Sequence, residues 1–185
     1  VQAAGPIDAL VNNAGIGVLA ALEGTSMQVA HEIFETNTFG TIAMTQAVLP
    51  QFRQRKAGVI VNVTSSVTLR SLPLLSVYTA SKAAVNALTE SLALELEPFN
   101  VRVNLVLPGR APETSFGENA RSRMQGAAPD AYAAFAQRVF AGMGQSSLVT
   151  RARDVAEAVW RAVNDPTCPV RIAAGADAVA LAEAG

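Results

Sequence analysis

Short apolar segments alternate with longer helical segments along this chain, and that alternation constrains the fold more than any other feature. The strand candidates, rich in β-branched residues, are 7–11, 59–63, 101–107 and, more weakly, 170–172. The helix candidates are about 38–55, 76–97 and 152–164. We expect Ser76 to cap the second helix, and Thr150 and Asp154 to mark the start of the third.

This order of elements predicts an α/β fold with a doubly wound parallel sheet, in which helical crossovers connect the strands. The strands are apolar on both sides, so we expect helices to cover both faces of the sheet. A length of 185 residues favours one domain over the whole chain, 1–185. Hydrophobic residues make up 50% of the sequence and charged residues 16%, which indicates a folded globular chain.

Charge and cysteine content argue against several classes of function. The formal net charge is −1 and no basic block is present, so we expect no nucleic-acid partner and no acidic membrane surface. No apolar stretch has the ~18 residues of a membrane span. The lone Cys168 has no disulfide partner and no metal-ligand spacing with the lone His31. We therefore expect no metal site and a cytoplasmic location.

Tyr78 and Lys82 are the strongest sign of chemistry, because they stand four residues apart, thirteen and seventeen residues after Ser65. On a helix this spacing puts both side chains on one face, one turn apart. A positive charge beside a phenol lowers its pKa from about 10, and the helix N-terminus acts in the same direction. The chain has only two tyrosines and two lysines, so a chance match has odds of about 2 in 100.

Other polar or turn-forming residues follow the predicted strands, at the edge where an open α/β sheet binds its ligand. They are Asn12-Asn13-Ala14-Gly15 after the first strand, Ser65 after the second, and Pro108-Gly109 after the third. Asn37 lies in a helical region. Each of these signals alone is equally typical of a turn, a cap or a helix kink.

Taken together in this order, these residues resemble the short-chain dehydrogenase/reductase family, from about Pro6 to the end of the chain. The resemblance implies a Rossmann-like fold, of which this chain is the C-terminal two-thirds. Family members begin with three more strand-helix units, about 75 residues, that carry a glycine-rich pyrophosphate loop. Residues 7–11 would then form a sheet edge that the missing strand normally covers.

The resemblance also implies roles for individual residues. Tyr78 would be the general acid/base of a hydride transfer between a nicotinamide and a secondary alcohol or ketone. Ser65 would hold the substrate oxygen, Lys82 would lower the pKa of Tyr78 and bind the nicotinamide ribose, and Asn37 would hold a water that passes protons to Lys82.

The coenzyme would be NAD or NADP, and the residue that selects between them would precede Val1. Residues expected to contact it are Asn12, Ala14, Gly15, Tyr78, Lys82, Pro108 and Gly109. The family often has a threonine four residues after the glycine of Pro-Gly, whereas here Thr114 is five residues after Gly109. A coenzyme contact by Thr114 is therefore not expected.

Two further features concern substrate and partners. We expect 110–145 to form a mobile substrate loop with two short helices. Leu72, Leu74, Leu75 and the loop from Phe116 to Phe140 would line a pocket for an apolar alcohol or ketone, or simply pack. The resemblance implies a homo-dimer or tetramer through helices 38–55 and 76–97.

Two other functions stay open. The chain could be a non-catalytic fragment that joins full-length relatives through the same helices. It could also belong to the sugar-nucleotide epimerases, which share Tyr-x-x-x-Lys, although Asn-Asn-Ala-Gly argues against that branch.

Overall fold

The structure is a computed structural model, and it describes residues 5–124, 129–143 and 147–184. Its strands are β1 (Ala9–Asn12), β2 (Gly58–Val63), β3 (Val101–Pro108) and β4 (Arg171–Ala174). Its helices are α1 (Met27–Phe34), α2 (Gly40–Arg55), α3 (Ser76–Leu96), α4 (Phe116–Ala120), α5 (Ala133–Met143), α6 (Ala152–Asn164) and α7 (Ala176–Glu183). A π-helical turn, Glu35–Phe39, joins α1 to α2.

The described strands form one parallel sheet in the order β1-β2-β3-β4. Ala9 pairs with Val59 and Gly58 with Val101, while Pro108 pairs with Ala174 at the carboxyl end of the sheet. The predicted parallel α/β fold is therefore confirmed. β1 lies at an edge of the sheet, as the resemblance implied.

Helices cover the two faces of the sheet because successive residues of each strand point to opposite sides. On β2, Val59, Val61 and Val63 pack towards α6, whereas Ile60 packs towards α2 and α3. Phe52 of α2 is fully buried in the second of these layers. Burying a side chain of this size stabilises the fold by about 2–3 kcal/mol.

A buried string of polar side chains fixes β1 and β2 against α3. Asn12 donates to Asn62 (2.8 Å) and to Thr45 (3.2 Å), and Asn62 donates to Thr89 (2.8 Å). Asn62 and Thr89 are completely buried, and each polar group that loses its partner inside a protein costs about 1–3 kcal/mol. The register of the sheet near the site thus depends on these bonds as well as on apolar packing.

The strands and long helices lie close to their predicted bounds, but two helices were missed. α1 and α7 have eight residues each, and the sequence patterns did not single them out. The first predicted helix, 38–55, is also the end of a longer helical path from Met27 to Arg55 with a π-helical turn inside it. Such a turn is a packing feature that helical periodicity does not reveal.

Two predicted helix caps are wrong. Ser76 is the first residue of α3, and Leu75, in the capping position, makes no side-chain capping bond. The entry to α3 is instead held through Leu74, whose carbonyl accepts from Ala20 N (2.8 Å). Thr150 is buried and does not cap α6; Asp154 does help to cap it, by accepting from Arg151 N (2.8 Å).

The predicted substrate loop 110–145 contains α4 and α5, in agreement with two short helices. Residues 125–128, 144 and 145 of that loop lie outside the described residues. Within the described ranges, no helix has the length and apolar character needed to cross a membrane.

Candidate active site

The predicted site residues meet at the carboxyl edge of the sheet and at the start of α3. Ser65 follows β2, and Tyr78 and Lys82 occupy the first two turns of α3. All three side chains are buried. The parallel sheet brings the ends of its strands to one edge, so residues separated by many positions in sequence become neighbours.

Ser65 and Tyr78 lie side by side in this site. The side chain of Ser65 hydrogen-bonds to the phenol of Tyr78. Ser65 also accepts a bond from Val67 N (3.3 Å), which begins the short turn Ser66–Thr68 after β2. The serine hydroxyl is therefore held beside the phenol, and the two hydroxyls can contact one oxygen atom of a substrate.

The pKa of Tyr78 moves in the opposite direction to the sequence-based expectation. Burial raises the pKa of the phenol to about 12, and the bond from Ser65 offsets only part of this shift. Removing the phenolate from water costs more than the hydrogen bond from Ser65 returns. The expected net lowering of the Tyr78 pKa is thus wrong for the described chain, and the phenol is protonated at pH 7.

Lys82 is a buried lysine that points back to the sheet. Its ammonium donates to Val63 O (3.1 Å), and burial lowers its pKa to about 8. An ammonium has three donors, and this is its one hydrogen bond among the described residues. Lys82 can therefore donate to a ligand at the edge of the sheet.

Asn37 links the segment after β1 to α3. It accepts from Ile16 N (2.9 Å) and donates to Ile16 O (2.9 Å) and to Ser81 (3.0 Å). Ser81 in turn donates to the backbone carbonyl of Tyr78 (2.7 Å). The π-helical turn presents Asn37 for these bonds, and Asn37 thereby fixes the loop beside the first turn of α3.

Three other residues predicted to contact a coenzyme, Asn12, Ala14 and Gly15, lie at the end of β1 or just after it. Thr114, for which no coenzyme contact was predicted, lies after β3. Asn12 points its side chain into the buried polar string, which leaves its backbone as the part that faces the edge of the sheet. Ala14 is exposed and Gly15 lies beside Lys82. Thr114 donates to Ala111 O (2.9 Å) within its own turn.

Phe116, which begins the loop expected to line an apolar pocket, contacts the phenol ring of Tyr78. The two rings are 5.8 Å apart between centroids, at an angle of 56°. A cavity of about 440 Å³ lies next to them, lined by the loop Gly15–Gly17 and by residues of α4 and the turn after it.

Sequence reasoning missed Thr150 and Asp177, which hold the end of β3. Gly109 N donates to Thr150 (2.9 Å), and Arg110 N donates to Asp177 (2.6 Å). The pattern suggested a helix cap for Thr150 and nothing for Asp177. Their contact depends on the pairing of β3 with β4, which the sequence indicated only weakly.

A parallel sheet with a Ser, a Tyr and a Lys at its carboxyl edge defines a class of enzyme, and the family comparison identifies it. The sequence pattern of the short chain dehydrogenase family matches residues 1–125. The chain belongs to the short-chain dehydrogenase/reductase family.

Individual relatives agree with this assignment. The chain is 34% identical over 178 residues to retinol dehydrogenase 8 from Bos taurus, covering 90% of this chain and 55% of that protein. It is 41% identical over 115 residues to 3-ketodihydrosphingosine reductase from Bacteroides thetaiotaomicron, covering 62% of this chain and 42% of the relative. The chain thus spans about half the length of these relatives.

Solved structures extend the likeness to the fold. A short-chain dehydrogenase from Streptomyces avermitilis has a TM-score of 0.79 at 34% identity, over 97% of this chain and 64% of its own. NAD+-bound xylitol dehydrogenase has a TM-score of 0.79 at 26% identity, with coverage of 95% and 70%. Serine dehydrogenase complexed with NADP+ has a TM-score of 0.73 at 27% identity, with coverage of 92% and 65%.

Proposed function

We propose that the full-length protein is an NAD(P)-dependent oxidoreductase that interconverts a secondary alcohol and a ketone, with Tyr78 as the general acid/base. One observation carries the proposal: Ser65 and Tyr78 are hydrogen-bonded side by side at the end of β2, with the Lys82 ammonium one turn further along α3. Family membership and the coenzymes of the solved relatives support it.

The residues present fit a nucleotide coenzyme at the carboxyl edge of the sheet. A Cβ atom at Gly15 would lie 3.1 Å from Lys82 Nζ and 3.4 Å from Asn37 Oδ1, so a larger residue would press against the lysine that faces this space. Lys82 has donors available for ribose hydroxyls there. Ala14 and Gly15 would line the coenzyme on one side, and Pro108 and Gly109 on the other.

The chain's own residues supply the proton chemistry. Bound coenzyme supplies the hydride acceptor or donor. For reduction, Ser65 would hold the ketone oxygen while Tyr78, neutral at pH 7, donates its proton to that oxygen. Lys82, charged below about pH 8, would stabilise the phenolate that remains and hold the ribose. Alcohol oxidation uses the same groups in reverse and requires the phenolate first.

The apolar surroundings of the site suggest an apolar substrate. Phe116 covers the phenol, and Leu74 and Leu75 are partly buried before α3. Retinol dehydrogenase 8 and 3-ketodihydrosphingosine reductase are named for apolar alcohols and ketones, which supports the same class.

We also propose that two copies associate through α2 and α3. Ala80, Ala83, Ala87 and Ser91 form an exposed stripe of small side chains along α3, ending at Leu94. Leu94 is 74% exposed, and Phe39 and Met44 are exposed on the neighbouring helical path. An apolar surface of this kind indicates a protein interface, and small side chains allow two helices to approach closely.

Coenzyme binding by the full-length protein tests the proposed function. Titration with NADH and with NADPH, followed by protein and coenzyme fluorescence, should show saturation of at least one coenzyme below about 1 mM. The preferred coenzyme would also be identified. Absence of binding for both coenzymes, in a folded preparation, would contradict the proposal and favour the non-catalytic alternative.

A further inference from the structure

The segment that leaves β3 is held by side chains in addition to backbone bonds, one of which runs from Gly109 N to Ala174 O of β4 (3.4 Å). The last pair in the ladder is Pro108 with Ala174, and proline has no N–H to extend the pairing. Beyond it, Gly109 N donates to the Thr150 hydroxyl (2.9 Å) and Arg110 N to the Asp177 carboxylate (2.6 Å). Thr150 N completes the set by donating to Arg110 O (2.9 Å).

Thr150 and Asp177 are themselves joined. The completely buried Thr150 hydroxyl lies 2.7 Å from Asp177 Oδ1 and 2.9 Å from Ala174 O. One hydroxyl thus connects the end of β3, the end of β4 and the start of α7. We call Thr150 and Asp177 the β3 clamp.

The clamp requires a glycine at position 109. A Cβ atom on Gly109 would collide with both carboxylate oxygens of Asp177. Asp177 therefore presses directly against the backbone of the segment that it holds. Asp177 is the second residue of α7, and it uses its oxygens for the Arg110 backbone and for Thr150.

We propose that the β3 clamp positions the nicotinamide half of the coenzyme, with Asp177 as a positioning residue that acts through the backbone of Gly109 and Arg110. This inference rests on the proposed function, in which Pro108 and Gly109 lie against the nicotinamide. α7 also lies close to the turn Ser66–Thr68 that follows Ser65. The helix that carries Asp177 therefore lies near both the nicotinamide side of the site and the turn after Ser65.

The chemistry explains why the position of this segment matters. Hydride transfer requires the reacting carbons in close contact, and a displacement of about 1 Å can reduce a rate by about 100-fold. Nothing in the clamp touches the adenosine side, which the loop after β1 would line. Loss of the clamp should therefore affect the nicotinamide end of the coenzyme selectively.

The test compares two probes on the full-length protein: the reduced coenzyme, and adenosine diphosphoribose, which lacks the nicotinamide. If the coenzyme is NADPH, the second probe is adenosine diphosphoribose that carries a 2′-phosphate. Asp177→Ala should weaken binding of the reduced coenzyme by about tenfold and that of adenosine diphosphoribose by less than about twofold, because the bond to the Arg110 backbone and the bond to the Thr150 hydroxyl are both lost. Turnover should fall together with coenzyme binding.

Three further variants make the test specific. Asp177→Asn keeps an acceptor for Arg110 N and should stay within about threefold of wild type. Thr150→Val removes the connecting hydroxyl at nearly constant volume and should reproduce the selective loss if Asp177→Ala does not fold. The matched control is Asp154→Ala, since Asp154 also accepts a backbone N–H at the start of a helix but lies outside the clamp.

The outcomes separate the clamp proposal from the proposed function. Equal weakening of both probes, or no change in either, would overturn the clamp while the proposed function stands. The same holds if Asp154→Ala gives the same selective loss. If wild-type protein binds neither probe, the proposed function fails and the clamp proposal fails with it.

Discussion

At the residue scale, burial outweighs charge in setting the proton chemistry of the site. Tyr78 and Lys82 are both buried, and burial favours the neutral form of each. The phenol is therefore protonated at pH 7 and is a weaker acid than a free tyrosine, while the lysine is held near its titration point. Oxidation of an alcohol in the same site would require conditions that stabilise the phenolate.

The buried lysine has a cost that can be measured. The pKa of Lys82 falls from 10.5 to about 8 on folding, which at pH 7 corresponds to about 3 kcal/mol of lost stability. Between pH 8 and 10.5 the unfolded chain binds more protons than the folded chain, so this loss disappears as pH rises. The pKa of Tyr78 rises from 10.0 to about 12, so its stabilising effect is lost as pH rises between those values.

Lys82→Met should therefore increase the free energy of unfolding of the full-length protein by about 1–3 kcal/mol at pH 7. The gain should be nearly absent at pH 10.5, and turnover should be lost. Urea denaturation at both pH values measures the effect. Lys56→Met, at the exposed end of α2, is the control and should change stability by less than about 0.5 kcal/mol at either pH. An equal change at both pH values for Lys82→Met would contradict this account.

At the element scale, the helices carry both the site and the proposed interface. One face of α3 buries Tyr78 and Lys82 against the sheet, and the other exposes the stripe from Ala80 to Leu94. The π-helical turn before α2 places Asn37 between the loop after β1 and Ser81. Assembly through α2 and α3 would therefore stabilise α3 on the face opposite to the site residues.

Ala87→Arg should disrupt assembly of the full-length protein, because it puts a charge in the centre of the α3 stripe. We expect association at least about 100-fold weaker, since an unpaired charge in an interface costs about 3 kcal/mol or more. Sedimentation velocity over a range of concentrations measures this. Ala57→Arg, at an exposed turn before β2, should leave the assembly unchanged. An unaltered assembly for Ala87→Arg would argue against this interface.

At the scale of the whole molecule, the sequence predicted the sheet and the reactive residues but not how they are held. Apolar β-branched strands and the Tyr-x-x-x-Lys spacing are local signals, so β2, β3, α3 and α6 lie close to where they were expected. The π-helical turn, the clamp of Thr150 and Asp177, and the cover by Phe116 depend on contacts between distant segments. The predicted direction of the Tyr78 pKa shift was also wrong, because the spacing of residues in a sequence reveals a neighbouring charge but not the burial of the phenol.

The chain spans about half the length of its known relatives, so activity has to be tested on the full-length gene product. The assay measures turnover of an apolar ketone with the coenzyme that the titration identifies. Two variants differ only in which tyrosine loses its hydroxyl: Tyr78→Phe in the site and Tyr132→Phe in the substrate loop. Both changes preserve ring volume, and the Tyr78 ring would keep its contact with Phe116.

The most direct measurement is kcat and coenzyme Kd for these two variants beside the wild-type protein. Tyr78→Phe should lower kcat by about 100- to 10,000-fold, because the proton donor is lost, while the coenzyme Kd stays within about twofold. Tyr132→Phe should keep kcat within about tenfold of wild type and the coenzyme Kd within about twofold, because its phenol bonds to Glu23 and not to Ser65. Retention of wild-type turnover by Tyr78→Phe would contradict the central claim that this phenol is the acid/base of a hydride transfer.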